Sequence, residues 1–143
     1  MMLVHPPLLY VAQAAVLGAA IVGLASSHEH DDDPVGRSAA ERRSNRWTLV
    51  ATALLVAASL LGAWWAHDEL GWGGWWAWDP VENTALAPLV CLLAALHADS
   101  STIARRWRLA AGACVLAGLA MTRSGLPDSV HAFSSSGWVA LLF

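Results

Sequence analysis

The sequence predicts an all-α protein, a polytopic membrane helix bundle with four to five spans and a tryptophan-rich segment on its outer face. Composition, long apolar runs and the placement of arginines support this prediction. The chain has 143 residues, of which 57% are hydrophobic and 13% charged, and it contains no lysine. Such a composition is typical of membrane proteins, because lipid supplies the apolar surroundings that a soluble chain must build as a core. We treat residues 1–143 as a single membrane domain.

Apolar runs define the predicted spans. A hydrocarbon layer roughly 30 Å thick is crossed by about 20 residues of helix. Three runs are long enough to cross it, a fourth is shorter, and a fifth begins near the last residue of the sequence. These runs cover residues 8–26, 47–66, 81–98, 107–122 and 138–143.

The charged segments between the runs predict the orientation. Residues 26–46 are rich in charge and contain Pro34 and Gly36, so we expect a loop there. Seven of the eight arginines belong to this loop or to the one after the third span, and Arg123 is the exception. By the positive-inside rule, the tryptophan segment and the stretch around His131 then lie on the outer face. The seven loop arginines are Arg37, Arg42, Arg43, Arg46, Arg105, Arg106 and Arg108.

Six tryptophans crowd the segment from 64 to 82, interleaved with glycines. An interfacial aromatic belt is one explanation, since indole rings favour the headgroup level. The other is a flat ligand, because indole faces stack on large π-systems and glycine lets a ligand approach the backbone. Positions 72, 75, 76 and 79 share a helical face, so we expect a short interfacial helix that forms one wall of a slot. The residues concerned are Trp64, Trp65, Trp72, Trp75, Trp76, Trp78, Gly71, Gly73 and Gly74.

The acid and proline after the tryptophans predict the start of a helix. Asp79 is a preferred N-cap residue, Pro80 suits the first helical position, and Glu82 can return a hydrogen bond to the cap. We therefore expect Asp79 to join the tryptophan segment to a membrane helix. On this interpretation its role at the ligand slot is structural.

Three histidines fall on the predicted outer face. His67 is followed by Asp68 and Glu69, which favours surface exposure. His5 and His131 flank the tryptophan segment in the sequence, and an imidazole on each side of a macrocycle is a common way of holding haem iron. A solvated or hydrogen-bonded side chain is the alternative for any single histidine.

Other polar residues leave alternatives open. His97 lies about 15 residues into the third span, where an ionisable group is a candidate ligand, although it could also reach the inner interface. His28 and His30 adjoin three aspartates, but a solvated loop is favoured over a metal site because nothing nearby supplies rigid ligand geometry. Arg123 could pair with a haem propionate.

Several motifs resemble those of a known family. "WGGWWAWDPVEN" resembles the signature of the WWD-domain haem-handling proteins of cytochrome c biogenesis. "HPPLLY", "RSG" and "SVHAF" resemble flanking motifs of the haem lyase branch, which is CcmF-like. The resemblance runs in order from about His5 to Phe133 and covers nearly the whole chain.

The resemblance implies a site and a role. The family holds haem b at the outer face of an energy-transducing membrane, with the tryptophan segment as platform and His5 and His131 as axial ligands. His97 matches a ligand of a second, membrane-embedded haem. Haem arrives from a periplasmic haem chaperone and passes to apocytochrome c, whose CxxCH thiols add to its vinyl groups. The implied location is a bacterial inner membrane or an organellar one.

The chain departs from the family pattern in ways that leave three hypotheses. Ala77 stands where relatives usually place an aromatic residue, and lyases of this branch are much longer. The leading hypothesis is a haem-binding component that works with further haem lyase subunits, as a short, split or truncated form. A haem carrier or gate is the second, and a membrane scaffold with an aromatic belt is the third. We expect no nucleic-acid partner.

Overall fold

Helices make up all the regular structure in the part of the chain that the computed structural model describes, namely residues 3–26, 34–69, 71 and 74–124. There are four: α1 (His5–Ala25), α2 (Pro34–Asp68), α3 (Pro80–Leu96) and α4 (Ser101–Arg123). The predicted all-α class is confirmed. Each of the first four predicted spans corresponds to one helix, whereas residues 138–143 lie outside the described part.

The four helices form an antiparallel bundle in which each helix packs against two neighbours, α1 on α2 and α4, and α3 on α2 and α4. His5 at the start of α1 lies beside Ala58 late in α2, while Ser26 after α1 lies beside Ser44 early in α2. The start of α1 and the end of α2 therefore share one end of the bundle with the start of α3, whose Glu82 lines a cavity with His5. We call it the tryptophan end. The opposite end is called the arginine end.

Small residues allow the helices to approach closely. A Cβ atom at Gly118 would lie 2.7 Å from the Cβ of Thr84, and one at Gly112 would lie 3.0 Å from the Cβ of Ala20. Such contacts are the usual means of packing helices in lipid, where the hydrophobic effect does not drive association. The core between the helices includes Val16, Leu55, Leu92 and Val115, all almost completely buried.

The lengths and surfaces of the helices suit a bilayer. α1 (His5–Ala25) and the part Ser38–Asp68 of α2 are long and apolar enough to cross a membrane, and α3 is apolar but shorter. At 1.5 Å per residue the 21 residues of α1 span about 31 Å. Large apolar side chains cover the outside of the bundle, as lipid contact requires. Examples are Val11, Ile21, Leu49, Leu60 and Leu116.

Two loop predictions are wrong in part. α2 begins at Pro34, so the second half of the predicted loop 26–46 is helical. Proline is favoured in the first turn of a helix, and the "SAAERR" that follows consists mainly of good helix formers. α4 begins at Ser101, whose predecessor Ser100 caps it by accepting a hydrogen bond from the Ile103 amide. Arg105, Arg106 and Arg108 therefore lie on a helix.

Arg108 is buried at the arginine end, with only 3% of its surface exposed. Its Nε donates to the Thr48 hydroxyl at 2.7 Å, and its terminal nitrogen donates to the Asn45 side-chain oxygen at 2.5 Å. Beside this pair, the hydroxyls of Ser26 and Ser44 are 2.7 Å apart. This end of the bundle is closed by hydrogen bonds between α1, α2 and α4.

Candidate functional site at the tryptophan end

The junction between the tryptophan segment and α3 is a capping box, as predicted. Asp79 accepts a hydrogen bond from the Val81 amide at 2.8 Å, and Pro80 is the first helical residue. The Glu82 carboxylate accepts in return from the amides of Asp79, at 3.3 Å, and Ala77, at 2.8 Å. Since Asp79 is 7% exposed, the segment is fixed to α3 by a buried side chain.

The expected interfacial helix is wrong for residues 74–79, which form a bend followed by irregular and extended backbone. Two local causes act against a helix. Asp79 precedes a proline, which disfavours helical backbone at that position, and it is extended, with φ −63° and ψ 146°. Glu82 also binds amides that a helical turn would have used.

Trp78 adopts a left-handed backbone conformation, with φ +59°. For a residue other than glycine this costs roughly 1–2 kcal/mol and is most often seen where function requires it. The Trp78 carbonyl accepts from the Asn83 side chain at 3.2 Å, and its ring meets that of Trp76 edge to face. The result is an indole that is 70% exposed on a restrained backbone.

His5 is held in one orientation at the start of α1. Its Nδ1 lies 3.1 Å from the carbonyl oxygen of Ala58, a residue 53 positions away. Because a carbonyl only accepts, Nδ1 is the donor in this contact, and in the neutral ring Nε2 is then the nitrogen with the lone pair. Metal-binding histidines commonly have this arrangement, in which a backbone carbonyl orients the ring through the other nitrogen.

Gly62 in α2 provides the space for the His5 ring. A Cβ atom at Gly62 would lie 2.4 Å from Cε1 of His5 and 2.9 Å from each ring nitrogen. The Cε1 edge of the imidazole therefore faces the glycine, and any side chain at this position would displace the ring. Sequence reasoning missed Gly62; the available signal was a glycine within the apolar run of the second span.

Two tryptophans help to wall a cavity beside His5. Trp65, which is 7% exposed, lies 6.3 Å from the His5 ring, and its indole nitrogen donates to Glu69 at 3.1 Å. Trp76 and Glu82 line the same cavity, whose volume is about 60 Å³. Pockets that enclose drug-sized molecules hold about 300–1,000 Å³. A ligand as large as haem would therefore lie outside this cavity.

Other rings of the segment are exposed and available for stacking. Trp75 is 54% exposed and stacks on His67, with ring centroids 5.2 Å apart and planes at 18°. His67 is exposed, as predicted. A Cβ atom at Gly74 would meet nothing closer than the Trp76 carbonyl oxygen at 3.9 Å, so the backbone there is open to close approach.

Comparison with known proteins identifies the family. The sequence profile described as "Cytochrome C assembly protein" matches residues 1–124. The chain belongs to this cytochrome c assembly family. It is 43% identical over 138 residues to the probable cytochrome c-type biogenesis protein NrfE of Escherichia coli K12, covering 91% of this chain and 24% of that protein. It is 42% identical over 140 residues to the cytochrome c-type biogenesis protein CcmF of Haemophilus influenzae, covering 92% and 21%.

A plant relative is shorter than these bacterial proteins. The CcmF N-terminal-like mitochondrial protein 2 of Arabidopsis thaliana is 42% identical over 93 residues, which are 62% of this chain and 46% of that protein. The chain thus spans about a quarter of the length of the bacterial relatives above. No solved structure matches the chain.

Of the remaining predicted site residues of this cytochrome c assembly protein, His97 lies at the arginine end, whereas Arg123 lies at the tryptophan end, beside Tyr10 of α1. His97 caps the end of α3 at the arginine end, exposed, with Nδ1 2.8 Å from the Leu93 carbonyl. Its place in a second haem site stays a prediction. Arg123 is exposed at the end of α4, 3.4 Å from the Tyr10 hydroxyl. Trp72, Gly73 and His131 lie outside the described residues, as do His28 and His30.

Proposed function

We propose that this cytochrome c assembly protein is a haem-binding component of a cytochrome c haem lyase. It presents haem at the outer membrane face for thioether attachment to apocytochrome c. The observation that carries the proposal is the fixed His5 imidazole, whose Nδ1 is bonded to the Ala58 carbonyl while its ring edge rests on Gly62.

The residues present fit haem b. With Nδ1 of His5 on the Ala58 carbonyl, Nε2 is the ring nitrogen that would bind iron, and the exposed rings of Trp75 and Trp78 would stack on a porphyrin face. The cavity beside His5 is too small for a macrocycle, so the haem would lie against the outside of the tryptophan segment.

Different residues have different tasks in this proposal. His5 and His131 hold the iron, Trp72, Trp75, Trp76 and Trp78 form the platform, and Gly73 and Gly74 permit close approach. Asp79 keeps the platform attached to α3, and Arg123 pairs with a propionate. His97 belongs to a second haem site.

Little catalytic machinery is needed. Bound haem supplies the vinyl groups to which the two thiols of an apocytochrome CxxCH motif add. The residues of this chain bind and orient the macrocycle, and none is assigned as a nucleophile or general base. The chain can therefore be a haem-binding part of an enzyme while carrying no catalytic residue of its own.

Membership of the family supports the proposed partners. Two relatives are named as cytochrome c-type biogenesis proteins about four times as long as this chain, which supports action together with further haem lyase subunits. Haem would come from a periplasmic haem chaperone, and apocytochrome c would receive it. The membrane would be a bacterial inner membrane or an organellar one, with the tryptophan end facing outward.

Absorption spectroscopy of the purified, haem-loaded protein tests the ligand assignment. We expect a low-spin bis-histidine spectrum that is lost in His5→Ala and in His131→Ala and is partly restored by added imidazole. His28→Ala, at a position between α1 and α2 in the sequence, is the matched control and should leave the spectrum unchanged. An unaltered Soret band in both ligand variants would overturn the assignment.

A second experiment separates a lyase component from a haem carrier. The chain is co-expressed with its partner subunits and an apocytochrome c, and covalent holocytochrome is measured by haem staining after denaturing electrophoresis. We expect covalent product that depends on His5. Haem binding without covalent product, and without co-purification of partners, would favour the carrier.

A further inference from the structure

Two buried polar atoms line the cavity beside His5. They are the Ser59 hydroxyl oxygen and the Trp76 indole nitrogen, and neither has a hydrogen-bond partner among the described residues. Ser59 belongs to α2 and Trp76 to the tryptophan segment, and both border the same cavity. Buried polar groups in proteins are almost always hydrogen-bonded to protein or to ordered water. Two such atoms at one cavity indicate a shared ligand.

The two groups restrict the chemistry of that ligand. An indole N–H only donates, so the ligand must accept a hydrogen bond from Trp76. A hydroxyl both donates and accepts, so Ser59 can bind a ligand that is either a hydrogen-bond donor or a hydrogen-bond acceptor. Glu82 also borders the cavity, and its carboxylate disfavours an anion there. A neutral oxygen is therefore preferred.

The size of the cavity restricts the ligand further. Its volume is about 60 Å³. A cavity with about 10–15 Å³ of space for a water-sized sphere already holds one water, which needs two to four polar partners when it is buried. The cavity is therefore large enough for ordered water, and Ser59 and Trp76 supply polar partners for it.

We propose that this cavity binds one or two water molecules held by Ser59 and Trp76. The water joins α2 to the tryptophan segment at the level of the His5 ring and so fixes the position of Trp76. This site does not depend on haem binding, because both hydrogen-bonding groups belong to the protein alone.

Nuclear magnetic resonance of the tryptophan indole N–H groups tests the proposal. The sample is the haem-free full chain in lipid nanodiscs, with ¹⁵N at the tryptophan indoles. Trp76→Phe identifies the Trp76 signal by its disappearance. We expect a cross-peak between the Trp76 N–H and water. Ser59→Val, which removes the hydroxyl and fills the cavity, should abolish the cross-peak and move the indole proton upfield.

Ser59→Ala provides a milder change in case the valine variant does not fold, and it should weaken the cross-peak. Ser38→Ala is the control, since Ser38 lies on the same helix and donates to the Val35 carbonyl at 2.9 Å, away from the cavity. A hydrogen-bonded indole without a water cross-peak would mean that a protein group fills the site, and would overturn the proposal. A Trp76 indole N–H that forms no hydrogen bond at all would also overturn the proposal.

Adding haem afterwards keeps the two proposals distinguishable. If haem does not bind while the water cross-peak is present, the proposed function fails and the water site stands. If the Trp76 signal becomes hydrogen-bonded only after haem is added, a propionate is the ligand and the water site is overturned.

Discussion

The two ends of the helix bundle bury polar groups in opposite ways. At the arginine end, Arg108 is 3% exposed and donates to Thr48 and Asn45, so α2 and α4 are closed against each other. At the tryptophan end, His5 is fixed by the Ala58 carbonyl, and some indole rings of this end remain exposed, Trp78 to 70%.

This difference separates a structural site from the proposed binding site. The polar side chains around Arg108 serve as partners for one another, so that end stabilises the bundle. The tryptophan end combines a fixed imidazole, exposed aromatic rings and one left-handed residue, and exposed apolar surface and backbone strain are features often found at functional sites. Variants at each end should therefore affect different measurements.

The largest expected effect on haem affinity comes from a variant at the tryptophan end. Gly62→Ala places a Cβ atom 2.4 Å from the His5 ring as it stands, so the imidazole must swing away. We expect haem affinity to fall at least tenfold, or by about 1.4 kcal/mol, while thermal stability changes little, because a side-chain end can move. A haem titration followed at the Soret band measures this.

Gly18→Ala is the control for Gly62→Ala. It adds the same methyl group to α1, where the new atom would lie 3.2 Å from the ring of Trp47. Its haem affinity should match that of the unaltered protein. Equal affinities in both variants would show that the position of His5 does not matter for binding.

The second effect is on stability at the arginine end. Arg108→Ala removes hydrogen bonds from a charged donor to Thr48 and Asn45, and such bonds contribute about 1.5–3 kcal/mol. We expect a lower unfolding temperature in detergent with haem affinity unchanged. Arg106→Ala, at an exposed position on the same helix, should have little effect. If Arg108→Ala lost haem binding but kept its stability, the structural role assigned to the arginine end would be wrong.

A third variant tests the junction at the tryptophan end. Asp79→Ala removes the N-cap of α3, and losing a cap costs about 0.5–2 kcal/mol. Because the cap also holds the tryptophan segment, we expect weaker haem binding while the chain still inserts into membranes. Ser100→Ala removes the N-cap of α4 at the arginine end and should reduce stability alone. Similar haem affinities in the two variants would argue against a role for Asp79 in holding the platform.

The smallest effect concerns the backbone at Trp78. Its φ of +59° is unfavourable for any side chain and acceptable for glycine. Trp78→Gly should therefore be more stable than Trp78→Ala by about 1 kcal/mol, while both lose the stacking surface. Chemical denaturation of the two variants, compared at equal lipid content, measures the difference; a more stable alanine variant would exclude backbone strain at this position.

Local patterns predicted much of the fold. The apolar runs placed four helices, and "DPVE" predicted the capping box that Asp79 and Glu82 form. The loop over residues 26–46 and the interfacial helix of the tryptophan segment are predicted wrongly in part, because at each place two local sequence signals favour different structures. Pro34 was interpreted as a helix breaker but begins α2, and the helical spacing of the tryptophans was outweighed by Pro80 and by the bonds of Glu82 to the amides before it.

The sequence by itself determined the helical class, the family and the residues available for a flat ligand, because each of these depends on composition or on short spacings. Only the tertiary structure decided that His5 rests on Gly62 and bonds Ala58, that Trp65 and Trp76 share a cavity with it, and that Arg108 is buried. The His5–Ala58 contact joins residues 53 positions apart, and the Arg108–Thr48 contact joins residues 60 apart. Such contacts depend on how helices pack side by side, and no periodicity within one helix specifies which residue of a neighbour it will face.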